Sequence, residues 1–329
     1  MKTFKGSMRI VEYDNYYVYS FGAASPINFP VIASVVTVGS FDGVHKGHKI
    51  IIDKLVAFAE YRHLRSVVVT FEPHPRTVLK DAVNGTIGGL LTTLDEKIDL
   101  LQQEGVDLVF VVRFTPDFAV RGSEDFITNV LVRLLGAKSI IIGYDHGFGN
   151  NRSGSGTTLE HLGFQLDFDV EVLDEVLIDQ EHFSSTKIRE LLGNGMIKDA
   201  NKFLGYPYMI TGIVVDGDKR GRKIGFPTVN LMLSNPDKLI PKAGVYFAQI
   251  LLDGFPFKAI INIGIRPTIT STGIKTIEAY IVNYSGCLYG RNLRFSLLRF
   301  IREEKKFSSL EELKKQLEKD KKTVELYRL

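Results

Sequence analysis

A short segment near the amino terminus, residues 34–49, constrains the fold more than any other part of the chain. It reads SVVTVGSFDGVHKGHK: an apolar run ends at Gly39, a polar turn holds Asp42 and Gly43, and a helical pattern begins near Ile51. Nucleotide-binding α/β units begin in this way, with a buried strand, a glycine-containing turn and a helix. The N-terminus of such a helix presents unpaired N–H groups and partial positive charge to phosphates. The segment therefore predicts a phosphate-binding loop at the end of a sheet strand.

Two histidines give this loop its chemistry. His45 and His48 are three residues apart with Gly47 between them, so both imidazoles can face one phosphate chain that the glycine admits closely. Taken alone, the same spacing also fits surface histidines or half of a metal site.

The ten residues 39–48, GSFDGVHKGH, resemble the adenylyl-transfer motif of the nucleotidyltransferase superfamily. More narrowly, they resemble the amino-terminal half of the prokaryotic bifunctional riboflavin kinase/FAD synthetase family. The resemblance implies an ATP site formed by Gly39, Phe41, Asp42, Gly43, His45, Gly47 and His48. It also implies that the two histidines are catalytic.

Composition limits the class of protein. A chain of 329 residues suggests two domains, and 44% hydrophobic with 24% charged residues is typical of a globular protein with a sizeable core. The net charge of +3 is too balanced to indicate a nucleic-acid or membrane partner. Cys287 is the only cysteine, which excludes an intrachain disulfide, and the amino terminus has no apolar leader region. We expect a soluble cytoplasmic protein.

Strand and helix patterns alternate through the first half of the chain. After a strand-rich lead-in, five strands are predicted at 35–38, 66–71, 108–112, 138–142 and 168–172. Helices are predicted between them, including one over 91–103 with a capping box formed by Thr93 and Glu96, and one over 123–135. The alternation predicts a parallel sheet with right-handed crossovers.

The second predicted strand ends in the sequence TFEPHP. Alternating prolines stop sheet pairing and hold His74 at the carboxyl end of a strand, where open α/β sheets place their ligands. A rigid exit loop without chemistry is the alternative. The family resemblance favours a flavin site that contains Phe71, Pro73, His74 and Pro75.

A glycine-rich loop, residues 143–156, follows the fourth predicted strand. Five glycines in this stretch favour a loop that closely surrounds a ligand. It resembles the GxDFxFG loop of the family, which makes Asp145 a candidate ATP ligand. His146 departs from the family pattern, which usually has phenylalanine there.

The segment FSSTKIRELL opens a predicted helix at Ser184, Ser185 and Thr186, whose hydroxyls can cap the helix or bind phosphate. Arg189 lies one turn further, on the same side as Ser185. As a plain N-cap cluster it would need no ligand. The match to the SSTxIR motif of the family implies that these four residues hold the triphosphate.

Beyond a helical connector with a Gly-Asn-Gly break, the pattern changes to short β-rich runs separated by turns such as Asp253-Gly254. We predict an adenylyltransferase domain over 1–193, a linker over 194–204 and a riboflavin kinase domain over 205–329. The runs predict a small antiparallel barrel or sandwich, followed by an amphipathic helix over 309–322 with a buried stripe of Leu310, Leu313 and Leu317. The predicted fold is thus a Rossmann-like parallel-sheet nucleotidyltransferase domain followed by a mainly-β barrel with a C-terminal helix.

The segment 212–231 is the densest motif of the second half. Glycines and basic residues follow a strand, an arrangement that suits phosphate, although a plain basic hairpin is the alternative. Thr228 and Asn230 lie two apart on extended backbone, so both side chains point to one side and offer oxygen ligands for Mg²⁺. The family resemblance implies an ATP site formed by Gly217, Lys219, Gly221, Lys223, Gly225, Pro227, Thr228 and Asn230.

The sequence GFPTVN resembles the riboflavin kinase motif GFPTAN, with Val229 in place of alanine. In that family a glutamate that matches Glu278 accepts the proton of the ribityl 5′-hydroxyl, whereas the alternative is an ordinary solvent-facing strand residue. Tyr280 and Cys287 depart from the family, which has histidine and aspartate at those places.

The resemblance covers nearly the whole chain. It implies a bifunctional enzyme that converts riboflavin to FMN and then FMN to FAD, with ATP as co-substrate, Mg²⁺ as metal, and Glu278, His45, His48 and Arg189 as catalytic residues. The first alternative is a riboflavin kinase whose adenylyltransferase-like domain is an inactive scaffold, and the second is a flavin-binding regulator. We expect a monomer or a weak homo-oligomer.

Overall fold

The computed structural model describes residues 9–13, 16–21, 32–79, 88–143, 156–174, 177–178, 181–217, 221, 224–266 and 274–327. The chain divides into two compact units. The first contains the described residues up to 79 and those from Thr92 to Ser184, and the second contains residues 88–91 and those from Ser185 onward.

A seven-stranded sheet forms the centre of the first unit. Its strands are β1 (Arg9–Tyr13), β2 (Tyr16–Ser20), β3 (Ser34–Val38), β4 (Arg65–Glu72), β5 (Leu108–Arg113), β6 (Ala137–Gly143) and β7 (Asp169–Leu173). They lie in the order β1-β2-β5-β4-β3-β6-β7, and the last five pair in parallel. β1 and β2 extend the sheet in antiparallel pairing, and a small hairpin follows, β8 (Leu177–Ile178) with β9 (Glu181–His182).

Helices cover this sheet. They are α1 (Lys46–Arg62), α2 (Pro75–Leu79), α3 (Leu94–Gln103), α4 (Pro116–Ala119), α5 (Ser123–Asp125) and α6 (Gly156–Leu166). The predicted capping box is present, since the Thr93 hydroxyl accepts from the Glu96 N–H and the Glu96 carboxylate accepts from the Thr93 N–H. The predicted helix over 123–135 is α5 continued by a π-helix, Phe126–Leu134, a form that hydrophobic spacing does not distinguish from an α-helix.

The burial of the strands explains the parallel sheet. Every residue of β3 is buried, as are the central residues of β4, β5 and β6, because helices on both faces exclude water from a parallel sheet. From β3 the chain moves outward to β4 and β5, then returns to the other side of β3 as β6 and β7. The strand order therefore reverses beside β3, and in open α/β sheets ligands bind at the carboxyl ends of the strands at such a point.

A closed six-stranded antiparallel barrel forms the second unit. Its strands are β10 (Tyr208–Val215), β11 (Thr228–Leu233), β12 (Gly244–Leu252), β13 (Phe255–Arg266), β14 (Ile274–Ile281) and β15 (Asn292–Arg302), in the order β10-β11-β14-β13-β12-β15. The predicted turn at Asp253-Gly254 joins β12 and β13 as a two-residue hairpin, and both residues have positive φ, 53° and 86°. The sequence left a barrel and a sandwich open, and the structure is a barrel.

Three helices accompany the barrel. α7 (Ser185–Gly193) and α8 (Ile197–Leu204) flank the predicted Gly-Asn-Gly break, and α9 (Leu310–Leu326) begins after its N-cap Ser309. The predicted buried stripe of α9 is wrong at Leu310, which is 49% exposed. The fully buried positions of this helix are Asp320 and Val324, because the helix packs on the barrel core through Leu317 and Val324. Among the described residues, none of the helices is long and apolar enough to cross a membrane.

Candidate active sites

The loop after β3 is mostly buried and is held by hydrogen bonds. The Asp42 carboxylate accepts from the Thr92 N–H at 3.1 Å, and the Thr92 hydroxyl accepts from the Gly43 N–H at 3.0 Å. Phe41 and Val44 have positive φ of 46° and 34°, which is unusual for side chains of this kind. Strain of this kind persists only where surrounding contacts enforce it, and it concentrates at ligand sites.

The two histidines stand together at the start of α1. His45 is the N-cap, and its Nδ1 accepts from the His48 N–H. In a neutral ring this leaves the proton on Nε2, which can donate to a ligand oxygen. The rings of His45 and His48 are stacked with centroids 3.6 Å apart, and the ring of Phe41 meets His48 edge-on at 5.2 Å. The sequence motif therefore places two imidazoles side by side at a helix N-terminus.

Glycines are required before the two histidines and between them. A Cβ on Gly39 would lie 2.9 Å from the Phe41 ring, and a Cβ on Gly47 would lie 3.0 Å from Phe183 and 3.2 Å from the His45 ring. Gly43 has a φ of 85°, which favours glycine. The backbone of the motif is thus packed closely enough to exclude larger residues.

The predicted flavin residues lie at the end of β4. Phe71 is mostly buried and belongs to an aromatic cluster, with Phe114 at 5.6 Å and Phe118 at 6.1 Å. After Pro73, the Nδ1 of His74 accepts from the Arg76 N–H, and Pro75 begins α2. Phe114 and Phe118 follow β5, and sequence spacing gave no signal that their rings join that of Phe71.

The SSTKIR segment lies where the two units divide. Ser184 is the last residue of the first unit, and Ser185 begins α7 in the second. Ser185 is partly buried and Thr186 is exposed. Arg189 is only 1% exposed, and its Nε donates to the Gly89 carbonyl at 2.9 Å within the second unit. The predicted ligand Asp145 lies outside the described residues, as do His146 and the rest of its loop.

The predicted kinase residues meet in one cavity of about 390 Å³ in the barrel. Cross-strand register sets their positions: Glu278 on β14 stands opposite Asn230 on β11 and opposite Asn262 on β13. Two residues along, Tyr280 stands opposite Thr228. Residues two apart on a strand share a face, so both rows point into the cavity. The proposed base and the proposed metal ligands are therefore brought together.

The flap before β11 contributes its glycines to the same region. A Cβ on Gly217 would collide with the side-chain amide of Asn230, and Gly225 has a φ of 83°. Gly221 lines the cavity, and its carbonyl accepts from the Phe226 N–H at 2.9 Å, just before Pro227. Lys219 and Lys223 lie outside the described residues.

The structure adds residues that the sequence analysis did not assign. Asn262 lines the cavity beside Glu278, and the ion pair of Arg302 with Asp320 forms part of its wall. A second cavity of about 380 Å³ lies along β11 and is lined by Thr228, Val229 and Cys287. Both cavities are lined by residues from elements that are distant in sequence, so a local pattern carries no signal of them.

Comparisons with known proteins cover both units. A family model for FAD synthetase matches residues 31–187, and one for riboflavin kinase matches residues 204–327. A bifunctional riboflavin kinase/FMN adenylyltransferase of Listeria monocytogenes is 37% identical over 88% of this chain and 90% of its own. The protein of that name from Escherichia coli is 36% identical over 90% of this chain and 93% of its own.

A solved structure also resembles the chain over most of its length. It is described as a macrolide-efflux protein from Streptococcus pneumoniae, and it covers 92% of this chain and 97% of its own with a TM-score of 0.80 and 28% sequence identity. Fold and sites together define a two-domain, nucleotide-using transferase. The chain belongs to the bifunctional riboflavin kinase/FMN adenylyltransferase family and carries both of its domains. The family and the fold class predicted from the sequence are confirmed.

Proposed function

We propose that the chain makes FAD from riboflavin in two ATP-dependent steps. The barrel unit phosphorylates riboflavin to FMN with release of ADP, and the parallel-sheet unit transfers an adenylyl group to FMN with release of pyrophosphate. The observation that carries the proposal is the row Asn230–Glu278–Asn262 across three strands, which puts a carboxylate between two amides inside a cavity of substrate size.

In the first step, the 5′-hydroxyl oxygen of riboflavin attacks the γ-phosphorus of ATP. The new O–P bond forms as the bond to the bridging β–γ oxygen breaks, and ADP leaves. Glu278 accepts the hydroxyl proton, a role that suits a partly buried carboxylate on the cavity wall. Positioning of the two substrates supplies most of the acceleration, as in other phosphoryl transfers.

Thr228 and Asn230 would hold the Mg²⁺ of this step. The donor set fits, because a hydroxyl and an amide oxygen two residues apart on β11 line the same cavity as Glu278. Mg²⁺ is usually bound by few protein oxygens together with substrate phosphates and water. When bound, it would neutralise charge that develops on the transferred phosphoryl group. The flap residues Gly217, Lys219, Gly221, Lys223, Gly225 and Pro227 complete the proposed ATP site.

In the second step, a phosphate oxygen of FMN attacks the α-phosphorus of ATP in line, and the bond to pyrophosphate breaks. The nucleophile is already an anion, so no base is needed. His45 and His48 at the N-terminus of α1 donate to the phosphate oxygens, where negative charge is favoured by the helix dipole. The loop residues Gly39, Phe41, Asp42, Gly43 and Gly47 complete this part of the ATP site.

The family resemblance assigns further residues to the second step. Ser184, Ser185, Thr186 and Arg189 bind the triphosphate, and Asp145 contacts ATP. Phe71, Pro73, His74 and Pro75 hold the flavin, and the aromatic cluster around Phe71 supports this by offering apolar surface to a flat ring. The reactions take place in the cytoplasm on small molecules, without a nucleic-acid or membrane partner, in a monomer or weak homo-oligomer.

Two variants test the assignment of one reaction to each unit. Glu278→Ala should abolish FMN formation while supplied FMN is still converted to FAD. His48→Ala should do the reverse and accumulate FMN from riboflavin. Chromatography of the flavins measures both. If either folded variant loses both steps equally, the two-site assignment is wrong, and if His45→Ala spares all activity, the scaffold alternative holds.

A further inference from the structure

Lys97 occupies a position that both burial and the helix dipole oppose. It is 2% exposed and is the fourth residue of α3, near the positive end of the helix. Lysine is almost never fully buried unless it is paired, because removing its charge from water is costly. An apolar residue would suit this place better, so a role for the ammonium group is indicated.

The surroundings of Lys97 offset these costs. Its Nζ donates to the Thr70 hydroxyl on β4 at 3.2 Å. Burial lowers the pKa of Lys97, while the carboxylates of Asp42 and Glu72 act against that shift. Both carboxylates lie near carboxyl ends of the central strands, Asp42 in the loop after β3 and Glu72 at the end of β4.

The contacts of Lys97 lead directly to the loop of the HxGH motif. Thr70 accepts from Lys97 and uses its one hydroxyl proton to donate to the Ser40 carbonyl at 3.1 Å. On the other side of the same loop, Thr92 bonds Asp42 and Gly43. The loop is thus held by a chain of hydrogen bonds that starts at a buried cation.

We propose that Lys97 is a positioning residue for the adenylyl-transfer step, which holds the loop of residues 40–43 through the hydrogen bonds that Thr70 makes with Lys97 and with the Ser40 carbonyl. This rests on the proposed function of the first unit. An ATP triphosphate carries several negative charges, so a loop acidic residue without its counter-charge would repel the ligand. Loss of Lys97 should therefore weaken ATP binding in the second step and leave the first step unchanged.

The test compares Lys97→Met, Lys97→Arg and Thr70→Val in the full-length enzyme. Lys97→Met should raise the KM for ATP in FMN adenylylation about tenfold or more, the effect of losing one charge-assisted hydrogen bond, with kcat within about threefold. Thr70→Val should shift KM in the same direction, because it breaks the bond to the loop. Lys97→Arg, which keeps the charge, should recover most of the KM.

The thermal unfolding midpoint of the first unit reports whether that unit is folded, and riboflavin phosphorylation in the same samples reports whether the barrel unit is intact. Lys54→Met is the matched control, since Lys54 is an exposed lysine on α1 whose Nζ lies 2.9 Å from Glu171. A fall in kcat with unchanged KM would mean a smaller active fraction, and would overturn the proposal. So would a Lys97→Arg enzyme as impaired as Lys97→Met, or a Lys97→Met enzyme equal to Lys54→Met.

Two outcomes keep the inference separate from the proposed function. If the unsubstituted enzyme makes no FAD, the proposed function of the first unit fails. If the first unit of Lys97→Met does not fold, Thr70→Val decides: a raised KM for ATP supports the positioning role, and an unchanged KM overturns it.

Discussion

The ion pair between Arg302 and Asp320 fastens α9 to the barrel. Arg302 donates to both carboxylate oxygens, with Nη2 2.7 Å from Oδ2 and Nε 3.1 Å from Oδ1, and Gln316 donates to Oδ1 at 2.9 Å. The side chain of Asp320 is 3% exposed and that of Arg302 is 21% exposed. Both residues line the kinase cavity. Removing the negative charge should therefore affect stability and the kinase step together.

The magnitude follows from burial. Breaking a buried pair by removing one partner costs about 3–5 kcal/mol, and the partial exposure of Arg302 places Asp320→Asn near the lower end, about 3 kcal/mol. For a unit of this size, 1 kcal/mol corresponds to roughly 2–4 °C, so the unfolding midpoint of the barrel unit should fall by roughly 6–12 °C.

Differential scanning calorimetry of the full-length chain measures this shift. The matched control is Asp253→Asn, which removes the same charge from an exposed pair with Arg291, where the side chains are 69% and 41% exposed. That control should leave the midpoint unchanged, because exposed pairs contribute little. At temperatures between the unfolding midpoint of Asp320→Asn and that of Asp253→Asn, the Asp320→Asn enzyme should lose FMN formation, while supplied FMN is still converted to FAD.

Equal midpoints for Asp320→Asn and Asp253→Asn would show that the buried pair of Arg302 and Asp320 does not stabilise the barrel unit. A second result would refute it as well: the double replacement of Arg302 and Asp320 by apolar residues should recover much of the lost stability, since two buried charges are removed together. If the double variant is no more stable than Asp320→Asn, the loss has another cause.

Three further predictions concern a glycine of the flap, a proposed metal ligand and a helix cap. Gly217→Ala should slow FMN formation at least about tenfold, because its Cβ would displace the Asn230 amide from the proposed metal site. Steady-state kinetics measures this rate, and the rate of FMN adenylylation should be unchanged. Thr228→Val should raise the Mg²⁺ concentration needed for half-maximal FMN formation, whereas Thr228→Ser, which keeps the hydroxyl, should not; equal Mg²⁺ curves would remove Thr228 from the site. Thr93→Ala should lower the free energy of unfolding of the first unit by about 1 kcal/mol through loss of the cap at α3, measured by urea titration, and no change would show that the capping box is not stabilising.

Local signals in the sequence predicted much of the fold. The strand, turn and helix around His45, the capping box of Thr93 and the hairpin turn at Asp253-Gly254 all appear as expected. Each depends on residues only a few positions apart, where propensity and hydrogen bonding act directly. The alternation of strands and helices was enough to predict the parallel sheet.

Features set by long-range packing were not predictable in the same way. Asn262 joins Glu278 only because β13 pairs with β14 in one register, and hydrophobic spacing does not specify which strands pair. Leu310 fits the apolar spacing of α9 but lies outside its contact with the barrel. Lys97 shares the helix face of Leu94 and Leu101, and only the folded structure shows the Thr70 hydroxyl and the carboxylates that make its burial tolerable.

The same difference between local signals and long-range packing applies to the candidate sites. The motif residues of both sites were named from the sequence, and their roles stay predictions until variants are measured. The residues that support them, such as Thr70 behind the loop of the first unit and Asp320 in the wall of the kinase cavity, came from the structure. Supporting contacts cross between distant elements and leave no short motif.

The most direct test is a time course of riboflavin, ATP and Mg²⁺ with the purified chain, followed by chromatography of the flavins. The account predicts that FMN rises first and then gives way to FAD, with ADP formed in the first step and pyrophosphate in the second. FMN that accumulates without FAD would contradict the adenylyl-transfer half. No conversion of riboflavin would contradict the account as a whole.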